Sequence, residues 1–505
     1  MAFNPLFTVN ARLIGTWRSY ALVGGIFSAL VVGFAASFYS QAGPGQSYGV
    51  SFGFLTAMSI VQGIFLLMVA TGAVRKAVLR DFTTNMIESH RIAPMSGYKI
   101  VLGYLSGPPA QAYMLYLLSL LFGTAFAVHY AAGLGVGAQN VLFAWYAMQA
   151  SLLSVTLLLM SLVLLVALAS SGKTNLIGIM ILFGVFGGTF ALPYIPGLSL
   201  LLGVYSGGVL VGLLSPSIGP TSDASTFAIT ILFQAAFSAT LLTASARKIR
   251  APERAMFSMP LALGLAMLWA ILLIVGLRIG TQNPWLTTPE NARPVQIAAS
   301  LLTLLVISQF ALVAAAVERY QMDRAAAFGA VAPAGRRFGA AFMRVALCVV
   351  VAAAYLGMSD QAGAPRTMQR LIEAAYAPAF ILFAFFLSFV ADSCWIYCAL
   401  VRGGRVFLTV VGLAVVLKAL PPGVDLAIVI AEAVLGGGES SAAGYLTTMS
   451  PAGSVAMTMF WQSPVAVGLI VQVMVALIAA RSMRRARRGL RVTPVTAVAA
   501  RPAAA

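Results

Sequence analysis

The chain has 505 residues, 60% of them hydrophobic and 9% charged, with a formal net charge of +18. Soluble globular domains carry roughly a quarter charged residues, so a soluble enzyme or binding module is excluded. Apolar runs near the ~20 residues needed to cross a bilayer as a helix recur along the whole length, and they predict an all-α polytopic membrane protein.

Taken in order, residues 3–18 are short, amphipathic and basic, with Asn4-Pro5 as a start signal and Trp17 suited to the headgroup level. They read as an interfacial helix rather than a cleavable leader, because no short apolar core with a small-residue cleavage site follows. Six spans are then expected near Tyr20–Tyr39, Phe52–Ala73, Ile100–Val128, Val141–Ala169, Leu176–Leu202 and Phe227–Ala244. Gly107-Pro108-Pro109 should break or kink the third. Residues 203–226 are Gly/Ser/Pro-rich yet half apolar, which suits a re-entrant or surface-lying stretch, since irregular backbone at depth must be shielded.

The second half repeats the plan, with spans expected near Pro260–Ile279, Ile297–Val317, Val345–Met358, Ala377–Val401, Val406–Leu420 and Ser463–Ala480. Its long polar segment Glu318–Arg344 matches Arg75–Leu105 of the first half. Its Gly/Pro-rich stretch Pro421–Gln462 contains Met449-Ser450-Pro451, an echo of Leu214-Ser215-Pro216. Gln309 in span eight echoes Gln62 in span two. These matches predict about twelve transmembrane helices in two parallel six-helix repeats, residues 20–255 and 256–481. Residues 482–505 form a basic, then Ala/Pro-rich tail whose end should be disordered.

Orientation follows from charge. Lys and Arg gather in alternate connections: Arg12 and Arg18, Arg75 to Lys99, Lys173, Arg247 to Arg254, Arg319 to Arg344, Arg402 and Arg405, and Arg481 onward. The intervening connections hold Arg278, Arg293, Arg366 and Arg370, with Lys418 near a span end. The asymmetry places both termini in the cytoplasm and accounts for the basic excess without a nucleic-acid partner.

Catalytic chemistry finds little support. Ala167 to Thr174 ends like a phosphate-binding loop, but Ala167 stands where the first glycine belongs and a span, not a strand, precedes it. The two histidines, His90 and His129, are far apart in topology, and no HExxH or GxSxG motif occurs. No catalytic residue and no metal ligand set is therefore expected. Cys394 and Cys398 would share a helix face as small packing residues. Asp392 falls inside span ten, where an ionisable group is a functional candidate by default. It would either bind protons in a coupled carrier or pair with Ser393, a neighbouring backbone group or interfacial water. Gln62, Gln149, Gln234, Gln309 and Gln472 also lie in spans, where each would join helices or line a pathway. Asp323-Arg324 and Gly335-Arg336-Arg337 share residue types with a loop turn of the facilitator superfamily, but their separation does not fit it.

A closer likeness lies in the first polar segment. Ile87-Glu88, then Ala93-Pro94-Met95-Ser96, then Ile100-Val101-Leu102-Gly103 resembles the connection between spans two and three of type-2 ABC exporter permeases. Asn4-Pro5-Leu6 ahead of a basic interfacial helix resembles that family's elbow helix, here residues 1–19. Residues 3–255 carry the likeness, and residues 256–505 share its layout. Asp323-Arg324 and Ala332-Pro333 stand where Glu88 and Ala93-Pro94 would recur.

The resemblance implies the membrane-spanning subunit of an ATP-driven exporter in a bacterial plasma (inner) membrane, moving a hydrophobic or lipid-like substrate. Arg75–Lys99 would be a coupling helix docking on a separate ATP-binding cassette subunit, a homodimer in the simplest case. Arg80, Asp81, Glu88, Arg91 and Pro94 would contact it, with Asp323 and Arg324 as second-half counterparts. Gly103, Pro108, Pro109, Gln62, Gln309 and Asp392 would serve as hinge or pathway positions. The chain would bind no cofactor, with ATP and Mg on the partner, and Arg75, Lys76 and Arg80 have anionic lipid headgroups as a further role. The alternatives are a proton-coupled twelve-span carrier using Asp392 and an intramembrane enzyme.

Overall fold

The computed structural model describes residues 9, 15–43, 46–134, 138–170, 195–203, 224–252, 255–280, 293–327, 339–359, 368–403, 406–413 and 465–492. Among them every regular element is helical, as expected for a chain whose backbone polar groups must be satisfied without water. Nine of these helices are long and apolar enough to cross a membrane. They include those expected for spans one to four, six and seven to ten. Most of span five, the last seven residues of span eleven, residues 204–223 and Pro421–Gln462 lie outside the described residues, as do most of the elbow helix, Ala332-Pro333 and the end of the tail.

The chain divides into two compact units, Met1–Phe190 with Leu198–Met256 and Asn283–Trp285, and Ala191–Gly197 with Phe257–Gln282 and Leu286–Ala505. In the first, α1 is Trp17–Gln41 and α2 is Ser47–Thr83. A short helix α3, Met86–Ile92, leads to α4, Gly97–Ser106, then α5, Ala110–Leu134, and α6, Ala138–Ala169. A six-residue helix α7, Pro196–Leu201, of which Leu198 onward belongs to this unit, precedes α8, Ala224–Arg250. In the second unit the helices are α9, Met259–Gly280, α10, Arg293–Ala327, α11, Gly339–Ser359, α12, Met368–Val401, α13, Val406–Leu413, and α14, Val465–Val492.

Three expectations change. Trp17 is not on a separate interfacial helix but opens α1, where it is 83% exposed. The helix of span two does not end at Ala73: it runs on to Thr83, so the amphipathic stretch Arg75–Thr83 continues that helix beyond its apolar part and is no free-standing coupling helix. Ile64–Ala70 within it is wound as π-helix, a local widening that tends to mark functional places. Span three starts later than Ile100, because Gly107-Pro108-Pro109 separates α4 from α5 completely. Pro109 fixes its φ and has no N–H to donate, so helix pairing stops there and begins anew at Ala110.

In the first unit α2 packs on α5 and α6, and α6 packs on α8. In the second, α10 packs on α9, α11 and α12, while α14 lies along α12. A core of Val74, Val78, Ile100, Tyr104, Leu164 and Ile249 joins α2, α4, α6 and α8 at the end of the first unit where the polar segment lies. At the opposite end Phe54 stacks on Phe126, with ring centroids 4.8 Å apart, beside buried Tyr130 and Trp145.

Candidate functional site: a displayed turn and two helix clasps

The polar segment folds around a reversal. Thr84 ends α2 with its N–H on the Arg80 carbonyl at 2.9 Å, and Asn85 adopts a left-handed backbone, φ 57°. Asparagine tolerates that conformation better than most residues, and the chain turns back as α3. Ser96 then caps α4, its hydroxyl accepting from the Lys99 N–H at 3.3 Å.

Helix α3 has an inner and an outer face. Ile87 is 2% exposed within the core and His90 is also buried, whereas Met86, Glu88, Ser89 and Pro94 are exposed and Ile92 is 86% exposed. The inner face is fastened by Asp81, near the end of α2. Its Oδ2 accepts from the Tyr104 hydroxyl at 2.5 Å and meets His90 Nε2 at 3.2 Å, with Arg80 Nε 3.8 Å from Oδ1. Asp81 lies beyond the apolar part of α2. Burial pushes its pKa up, but hydrogen bonds from His90 and Tyr104 and the nearby positive charges outweigh it and leave the pKa below the ordinary carboxylate value. The folded carboxylate is therefore favoured over the unfolded one. Its contribution is present above the unfolded pKa and lost as pH falls through the lower folded value, leaving it intact at neutral and mildly acidic pH.

Arg91 fastens the other edge. Its Nε donates to the Ile249 carbonyl at 3.1 Å, its guanidinium pairs with Glu88, and the Arg91 carbonyl accepts from Arg250 at 2.7 Å. Gly97 packs so close to α8 that an added Cβ would lie 2.6 Å from the Ala246 carbonyl oxygen. Because that neighbour is backbone, Gly97→Ala is expected to push α4 from α8 and destabilise the first unit by about 1–3 kcal/mol, read as a lower thermal midpoint in detergent.

The expected contact residues thus separate. Asp81 is buried and already bonded, and Arg91 is held by α8 and Glu88, so neither presents a free surface. Glu88 keeps a side chain 62% exposed but has a cation within its own chain. Arg80 and Pro94 are exposed. In the second unit Arg324 is exposed, but Asp323 accepts from the Tyr397 hydroxyl at 2.9 Å and from Arg487 at 2.7 Å, with Arg319 3.9 Å away. Gly103, Pro108 and Pro109 are buried at the α4–α5 break. His90 was weighed from sequence only as a catalytic candidate, and Tyr104, Tyr397 and Arg487 were not singled out. Their partners lie up to 164 residues away, and no local pattern reports such pairings.

The glutamines form a second pattern. Gln149 of α6 donates to Gln62 of α2 at 2.8 Å, and Gln309 of α10 donates to Asp392 of α12 at 2.8 Å. All four side chains are buried. The paired residues are 87 and 83 positions apart, and each pair joins the second and fourth expected spans of its half. Asp392 also accepts from Ser388 at 3.4 Å, and Ser393 donates to the Val390 carbonyl. Gln234 donates to the Leu201 carbonyl at 2.8 Å. Cys394 and Cys398 are buried free thiols, and no cluster suited to a metal ion occurs among the described residues.

No protein-family model matches the chain, and neither a curated protein nor a solved structure matches it.

Proposed function

We propose that this chain is the membrane-spanning subunit of an ATP-driven exporter, twelve helices in two parallel halves with both termini cytoplasmic, and that α3 docks on a separate ATP-binding cassette subunit. The observation that carries this is the form of α3. It is a short helix between two longer ones, anchored on its inner face by Ile87, His90 and Arg91, with Ile92 and Met86 turned outward. A small rigid helix with an exposed apolar residue suits a partner's groove and can pass on a rigid-body motion. The basic residues Lys76 and Arg80, both exposed on the extension of α2, suit anionic lipid headgroups at the same membrane face. The two equivalent helix clasps and the division of the chain near Met256 support two related halves. Hydrolysis of ATP, with Mg, belongs to the partner, and the apolar chain suits a hydrophobic or lipid-like substrate in a bacterial inner membrane.

The clasp also bears on the proton-coupled alternative. Asp392 is seated on an amide in the place where the first half has a second glutamine. Asp392→Asn keeps an acceptor for Gln309 and resembles the first-half pair. It is expected to retain ATP-dependent export in proteoliposomes within about twofold, because the Asn carbonyl still accepts from the Gln309 amide. Transport by the chain alone down a pH gradient, abolished in Asp392→Asn, would instead establish the carrier.

A further inference from the structure

Helix α3 is seven residues long, too short to hold its shape or direction by helix propensity. Its buried contacts are Ile87 and His90, and an isoleucine in an apolar core is held by non-directional forces. Direction has to come from polar geometry. Arg91 supplies part of it at one edge through α8, and Asp81 supplies it on the inner face, since one carboxylate oxygen receives the Tyr104 hydroxyl from α4 and faces His90 from α3. The His90 ring stands edge-on to Tyr104, with centroids 6.1 Å apart and planes at 86°, so the two partners of Asp81 brace each other. Three successive elements therefore meet at one acid that is 6% exposed.

We infer that Asp81 is a positioning residue: through His90 it fixes the orientation in which α3 presents Ile92, and it carries movement of α3 into α2 and α4. The role in transmission rests on the docking proposed above, while the fixing of α3 is a property of this chain alone. The second unit uses an acid at the end of its own long helix differently. Asp323 near the end of α10 receives Tyr397 of α12 and Arg487 of α14. There the acid ties long helices together, with no displayed short helix attached among the described residues.

Hydrogen exchange on the full chain in lipid nanodiscs tests the fixing. Asp81→Asn is expected to speed exchange of the amides of 86–92 at least tenfold, with Tyr104→Phe and His90→Phe giving smaller increases and Asp81→Glu restoring part of the protection. The amides of 141–169 should not change. Unchanged exchange at 86–92 in Tyr104→Phe and His90→Phe, or a rise spread evenly over the first unit, would overturn the inference, and these two variants decide it should Asp81→Asn fail to fold. The transmitting role is read after reconstitution with the ATP-binding cassette subunit. Asp81→Asn should retain the partner and its ATP hydrolysis while transport per ATP falls about tenfold, and an unchanged ratio would contradict it. If the wild-type chain binds no such subunit, the docking proposal fails, and the exchange result still decides whether Asp81 fixes α3.

Discussion

Gln309→Leu is expected to destabilise the second unit by about 2–4 kcal/mol, whereas Gln62→Leu should cost the first unit only ~1 kcal/mol. The two substitutions delete the same side chain from equivalent places and differ in what they leave behind. Removing Gln62 strands the amide of Gln149, a neutral group. Removing Gln309 takes the 2.8 Å donor away from Asp392, an acid that is 1% exposed. A buried acid that loses its short amide donor, and keeps Ser388 only at 3.4 Å, is costlier than a buried amide, because its desolvation is larger. Cys394, two positions from Asp392 and buried, provides the measurement. Its thiol should react with maleimide at a lower temperature in Gln309→Leu than in the wild type. A smaller loss in Gln309→Leu than in Gln62→Leu would show that the second clasp is dispensable.

The second large effect is expected at Ile92. At 86% exposed it makes almost no contribution to the chain's own packing, so Ile92→Glu should leave stability within ~0.5 kcal/mol. If α3 seats in a groove of the ATP-binding cassette subunit, Ile92 is its apolar anchor, and losing such an anchor costs about 2 kcal/mol or more of binding, roughly a thirtyfold weaker association. Titration of that subunit onto nanodisc-held wild type and variant measures the difference. Glu88→Lys is a weaker probe, because Glu88 is shared with Arg91 and its reversal disturbs α3 as well as any partner.

The helical, membrane-like architecture was legible because apolar length and charge placement are properties of composition along the chain, read without any tertiary contact. The α4–α5 break was legible for the same reason, since Pro108 and Pro109 act on their own backbone. The extension of α2 to Thr83 was not. Arg75 to Thr83 is polar enough to read as the start of a separate connecting helix, yet Val74, Ala77 and Val78 supply a helical stripe that packs into the core and keeps the helix of span two going. The burial of Asp81 was not legible, because an acid in a polar segment looks solvated until its partners, Tyr104 on one element and His90 on another, are folded over it. Gln62 and Gln309 were recognisable as an echo, but that their partners are Gln149 and Asp392 became visible only when helices two and four of each half were seen side by side.

The most direct measurement is ATP hydrolysis by the wild-type chain affinity-purified from its native membranes in mild detergent, with and without vanadate. The proposed function predicts vanadate-sensitive hydrolysis that remains with the chain through gel filtration and resides in a second polypeptide. Hydrolysis no higher than background, from a chain that is folded and that moves solute alone under a pH gradient, would contradict it.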